Sequence, residues 1–80
     1  MTRQEARQTA LGVIAEIAPN ADLERLDGEE NFRRELGLDS MDFLDVLTRL
    51  AEETGVEVPE RDYDQIRTID DLAGYIAERT

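Results

Sequence analysis

Leu36-Gly37-Leu38-Asp39-Ser40-Met41-Asp42 decides the reading of this chain. The glycine breaks the backbone, the aspartate offers a side-chain cap, and an amphipathic acidic segment follows. A helix therefore starts at Ser40, with the serine hydroxyl at the junction of loop and helix. The chain has no histidine, so this serine lacks the base that a Ser-His-Asp hydrolase needs. A hydroxyl at a helix N-terminus is instead well placed to carry a phosphate, because free N–H groups and the helix dipole favour negative charge there. Taken alone, a serine at a helix start is most often only a cap.

Outward from that junction the pattern is helical throughout, with no convincing strand. The helix beginning at Ser40 is expected to run over 40–53, with Met41, Leu44, Leu47, Leu50 and Ala51 as its buried stripe and Gly55 as its stop. Upstream, Thr2 and Glu5 have the spacing of a capping box, and Ala6, Ala10, Val13, Ile14 and Ile17 recur at helical intervals until Pro19-Asn20. Residues 19–39 then form a long connection. Its apolar Leu23, Leu26, Phe32, Leu36 and Leu38 predict an ordered, packed loop, of a length that often holds a short helix of its own. Downstream, Val58-Pro59 predicts an extended link, 60–65 a brief helical turn anchored by Tyr63 and Ile66, and Thr68 the cap of a last helix. Asp70 and Asp71 suit the positive end of that helix, and Ile69, Leu72, Ala73 and Ile76 form its inner face. The expected fold is an all-α bundle of three main helices plus one short helix, with a long loop between helices one and two. Residues 1–80 read as one domain.

Twenty acids against nine arginines give a net charge of −11. Nucleic acids and anionic membranes reward basic surfaces, so both are poor partners; a basic patch on another protein is the natural one. There is no cysteine, which excludes disulfides, thiolate catalysis and Cys-ligated zinc. No apolar run approaches a membrane span or a signal sequence. A cytoplasmic, monomeric protein is expected. Asp22, Glu24, Asp27 and Gly28 fall out of register for an EF-hand, in which the glycine follows the fifth position, so no metal site is assigned. The Asp70-Asp71 pair needs no catalytic explanation beyond its place in a first helical turn.

Leu36-Gly37-x-Asp39-Ser40-Met41 resembles the phosphopantetheine attachment motif of acyl carrier proteins. The likeness extends through Phe32, the Leu44-Leu47-Leu50 row, Glu52-Glu53, Val58-Pro59, Ile66, Thr68-Ile69 and Tyr75-Ile76, nearly the whole chain in order and spacing. The resemblance implies a carrier without catalytic activity of its own. It implies 4′-phosphopantetheine on Ser40 and an acyl group held as a thioester on that arm. Asp39 matches the aspartate beside the magnesium during attachment, and Met41 stands where leucine is usual. Asp42, Asp45 and Glu52 match acidic positions that meet basic docking patches; Arg49, on the same helix, is expected to meet partners with them although its charge departs from that pattern, as Thr48 also does. Arg33-Arg34 also stand where acids are usual. Such departures fit a specialised, stand-alone carrier better than a housekeeping one. Implied partners are a phosphopantetheinyl transferase and the loading, synthase or transferase enzymes of fatty-acid, polyketide or related biosynthesis.

Phe32, Leu50, Val58, Tyr63, Ile66, Leu72 and Tyr75 are the residues expected near an acyl pocket, although their first role is core packing. Carriers of long chains usually have a small residue where Tyr63 stands, so short cargo is expected. Two other readings remain at this level. One is an aminoacyl or peptidyl carrier. The other is an acidic helical interaction module, which leaves the Gly-x-Asp-Ser junction without a purpose.

Overall fold

Three capping boxes set where the long helices begin. In the computed structural model, which describes residues 1–80, Thr2 Oγ1 accepts from the Glu5 N–H at 3.1 Å and the Glu5 carboxylate accepts from the Thr2 N–H at 2.9 Å. Helix α1 follows over Arg3–Ile17, and its Ala6, Ala10, Val13 and Ile14 form one buried stripe. After a 3₁₀ turn at Leu23–Arg25, Asn31 caps a five-residue α2, Phe32–Leu36, by accepting from the Arg34 N–H at 3.1 Å. Gly37 ends it in the left-handed region at φ 68°, where a side chain would be strained. Three residues later α3 begins, spanning Ser40–Thr54 behind the Asp39/Asp42 box. A second 3₁₀ turn, Glu60–Gln65, leads to α4, Ile69–Arg79, started by the Thr68/Asp71 box. Each box pairs two N–H groups that a helix start would otherwise leave unbonded.

Helix α1 packs against both α3 and α4. Phe32, Ile14, Leu50, Ile66, Ile69, Leu72 and Ile76 are sealed in the core between them. The long connection is not loose. Leu26, Phe32 and Leu38 are buried, and two backbone bonds clasp the connection to the start of α4: Phe32 N–H to the Arg67 carbonyl and Asp70 N–H to the Gly28 carbonyl, each 3.2 Å. Arg7 adds an ion pair to Asp70 at 3.0 Å directly over Gly28. A Cβ at Gly28 would stand 2.6 Å from both partner atoms, so the glycine is what lets that pair close.

The all-α bundle agrees with the expectation, and the short pieces number three rather than one. The buried stripe of α3 differs from the expected one. Phe43, Val46, Leu47 and Leu50 face the core, whereas Met41 is 79% exposed and Leu44 is 44% exposed. Apolar residues at 41, 43, 44, 46, 47, 50 and 51 cover more than half of the helix circumference, so spacing alone allows either phase. Burial of the largest ring, Phe43, decides it: the ring lies 6.3 Å from that of Phe32, with the Arg33 guanidinium 4.3 Å over its face. Arg33, unexplained by the sequence, thus has a partner.

Of the nine arginines, Arg7, Arg25, Arg49 and Arg79 are ion-paired, so most acids have no countercharge. Self-repulsion should therefore limit stability. Added sodium chloride or magnesium is expected to raise the melting temperature, by about 4–8 °C for each kcal/mol of repulsion screened. A melting curve indifferent to both salts would show that repulsion is not limiting.

Candidate functional site at the start of helix α3

Ser40 is the first residue of α3, exposed, and its hydroxyl has no hydrogen-bond partner in the protein. The capping box explains why its surroundings stay open. Asp39 Oδ1 accepts from the Asp42 N–H at 2.8 Å, and Asp42 Oδ2 accepts from the Asp39 N–H at 3.3 Å. The Ser40 and Met41 N–H groups between them are left without a protein acceptor. A free hydroxyl and two free donors thus stand together at the positive end of a 15-residue helix. That arrangement fits a phosphate ester on Ser40 Oγ. Asp39 keeps Oδ2 without a protein partner, and no trio of acidic side chains is preassembled for a metal ion. Met41 projects beside the serine as an exposed apolar surface.

The four residues expected to meet partners do not form one uniform acidic face. Asp42 is half-buried and committed to the cap. Arg49 bridges two helices, its Nε 3.3 Å from Asp45 Oδ1 and its Nη1 2.9 Å from Glu16 Oε2 on α1. The hydrogen bond to Asp45, with that residue's charge, holds the guanidinium further above its ordinary pKa, and Glu16 adds to it. Glu52 is exposed and carries no ion pair. Reversing Asp42 and Asp45 would therefore disturb a cap and an interhelix bridge as well as the surface charge. Glu52 is the position whose reversal reads docking alone.

The seven expected pocket residues also divide. Phe32, Leu50, Ile66 and Leu72 are packed in the core and border no cavity, and Tyr75, also buried, borders only a polar cleft between Arg3 and α4, away from the groove described next. Tyr75 is fixed there by its hydroxyl, which donates to Asp62 at 2.7 Å, and by Arg79 stacked 3.5 Å over the ring. The bond to Asp62 is the main reason that the phenol's pKa is pushed up, with burial second. Val58 and Tyr63 do line a groove of about 240 Å³, which is completed by Leu44, Leu47, Thr48 and Ala51 of α3 and by Glu57. Those four α3 residues were missed as pocket residues, although 44, 47, 48 and 51 have the spacing of one helical row. Tyr63 closes the groove as a half-buried ring, edge-on to Phe43 at 5.6 Å and 90°. Tyr63→Ala should destabilise the protein by about 2 kcal/mol, below the range for a fully buried aromatic, and enlarge the groove. Melting curves check the first effect. Comparison of the melting shifts given by short and long acyl cargo checks the second, and equal gains in both proteins would show that Tyr63 does not limit cargo.

A family model described as the phosphopantetheine attachment site matches residues 8–76. The chain belongs to this family of acyl carrier proteins. Among its relatives, the mitochondrial acyl carrier protein of Saccharomyces cerevisiae is 28% identical over 80 residues, covering 96% of this chain and 64% of the relative. Acyl carrier protein 2, mitochondrial, of Arabidopsis thaliana is 32% identical over 77 residues, covering 96% and 60%. The chain thus spans less than two thirds of the length of either. A solution structure described as that of an acyl carrier protein from Anaplasma phagocytophilum superposes with a TM-score of 0.88 at 27% identity, covering 100% of this chain and 93% of that one. The cofactor of the family is 4′-phosphopantetheine, and the open start of α3 accommodates its phosphate. No helix is long and apolar enough to cross a membrane. The expected cytoplasmic location is not what the two eukaryotic names say, since both of those relatives are mitochondrial.

Proposed function

We propose that residues 1–80 act as one carrier domain whose working group is attached through Ser40 Oγ. The single observation that carries this reading is the unpartnered Ser40 hydroxyl beside the free N–H groups of Ser40 and Met41. Bound there, 4′-phosphopantetheine would supply the thiol that a cysteine-free chain lacks, and so hold an acyl group as a thioester. The protein's own residues place and shield. The Asp39/Asp42 box fixes the helix start, the free N–H groups and the dipole of α3 steady the phosphate, and the groove at Val58 and Tyr63 receives the first part of the cargo. Its small volume favours short acyl groups.

On this reading the chain has no catalytic activity of its own, and a phosphopantetheinyl transferase and acyl-handling enzymes are its partners. The exposed Met41 offers them contact beside the serine, and Glu52 offers a charge about 18 Å further along the same helix. Holding the cargo on a tether raises its effective concentration at each enzyme, so brief contacts suffice. A mitochondrial setting has the support of the two eukaryotic relatives' names, and fatty-acid or related synthesis has the support of the family.

Incubation with coenzyme A, magnesium and a broad-specificity transferase tests the reading. Intact mass is expected to rise by one arm, with release of the adenosine bisphosphate. An unchanged mass alongside a control carrier that is fully modified would sink it.

A further inference from the structure

The largest cavity in the protein, about 580 Å³, is not at Ser40 but between the end of α1, the connection after it and the end of α2. Its volume lies within the range of about 300–1,000 Å³ usual for ligand sites. Ile17, Ala18, Ala21, Leu26 and Leu36 supply apolar wall, and Asp22, Glu30 and Glu35 supply acid. Arg25 is the one basic residue in the lining and is taken up by Asp22 at 3.2 Å. Glu30 and Glu35 have no ion pair. They crowd one another instead, and the charge of Glu35 is the main reason that the Glu30 carboxyl is pushed above its ordinary pKa. The α1 terminus adds to the imbalance. Its last turn has no basic residue, and the carbonyls of Ala15, Glu16 and Ile17 accept no N–H, so the negative end of the helix is left uncompensated beside Ile17 and Ala18.

A cavity with an apolar wall, two unpaired carboxylates and an uncapped helix C-terminus selects an aliphatic stem ending in a cation. We propose that it receives an arginine or lysine side chain, with the apolar residue beside it, from a partner protein. Two observations favour a protein over a free small cation. The net charge of −11 steers basic proteins to this chain. Leu36 in the cavity wall is also joined to Ser40 through only Gly37, Leu38 and Asp39, so a protein held at the start of α3 is within reach of the cavity. The proposal does not depend on what Ser40 carries, and it is tested on the unmodified chain.

The probe is an acetylated, amidated Leu-Arg-Leu tripeptide, titrated against the ¹⁵N-labelled protein by NMR. Its control is the same peptide with citrulline, the neutral isostere of arginine. Saturable shifts are expected at the amides of Ile17, Ala21, Leu26 and Leu36, with at least tenfold weaker binding of the citrulline peptide. The variant Glu30→Gln/Glu35→Gln changes exposed side chains only and should keep the wild-type circular dichroism while weakening the arginine peptide about tenfold. Shifts spread over the acids of α3 and α4, or equal binding of the two peptides, would overturn the proposal. Ethylguanidine alone binding as tightly as the tripeptide would overturn the partner side chain in favour of a small-cation site.

Discussion

Ser40→Ala is expected to take up no phosphopantetheine at all while melting at nearly the same temperature as wild type. The two halves of that result have separate causes. Attachment needs an alcohol at the start of α3, and no other stands there: Asp39 and Asp42 are carboxylates, and the Thr48 hydroxyl lies about two turns along the helix and is donated to the Leu44 carbonyl at 2.9 Å. Stability is spared because the Ser40 hydroxyl makes no hydrogen bond, and alanine is the better helix former by up to about 0.7 kcal/mol. Intact mass after transferase treatment and a thermal melt read both. An arm on the alanine variant would move the attachment site elsewhere. A large fall in melting temperature would mean that Ser40 serves the fold, as an ordinary first-turn residue.

Phe32→Ala should cost about 3–5 kcal/mol, the range for removing a fully buried aromatic side chain. For a domain of this size, with total stability of about 4–12 kcal/mol, that is enough to leave much of the population unfolded at moderate temperature. Phe32 is completely inaccessible and tilts against Phe43 of α3, and its own N–H bonds to Arg67 just before α4. No nearby side chain is free to fill the space, because Phe43 is already held between Arg33 and Tyr63. Urea unfolding measures the loss. A cost below about 1 kcal/mol would show that the short helix α2 contributes little to the core.

Much of this molecule is legible in its sequence because its signals are local. The Thr2, Asp39 and Thr68 caps, the Gly55 stop and the Ser40 junction each depend on residues within four positions of one another, and the structure places helix ends at all of them, whereas the helix that Gly37 ends falls within what the sequence presents as a loop. What escaped depends on residues far apart in the chain. The phase of α3 was ambiguous because seven apolar residues surround it, and contact with Phe32, Arg33 and Tyr63 chooses the buried side. The pairing of Arg49 with Glu16, on another helix, is likewise announced by no local pattern. The groove and the larger cavity are both made by segments that meet only in the fold, so side-chain type alone pointed to the core for Leu50 and Ile66 and could not single out Leu44 or Ala21.

The two bonds joining Gly28 to Asp70 and Phe32 to Arg67 have a mechanical consequence. They close residues 28–70 into a ring of chain pinned at one place, and Ser40 lies within that ring. Tension applied to residues 71–80 reaches the clasp before the start of α3, whereas tension on α1 is passed to α3 as well, through their packing and the Arg49–Glu16 bridge. A force applied at Ser40 itself is shared between both pinned strands. The start of α3 therefore belongs to a segment closed at its base, and pulling it away from the bundle means breaking both backbone bonds of the clasp.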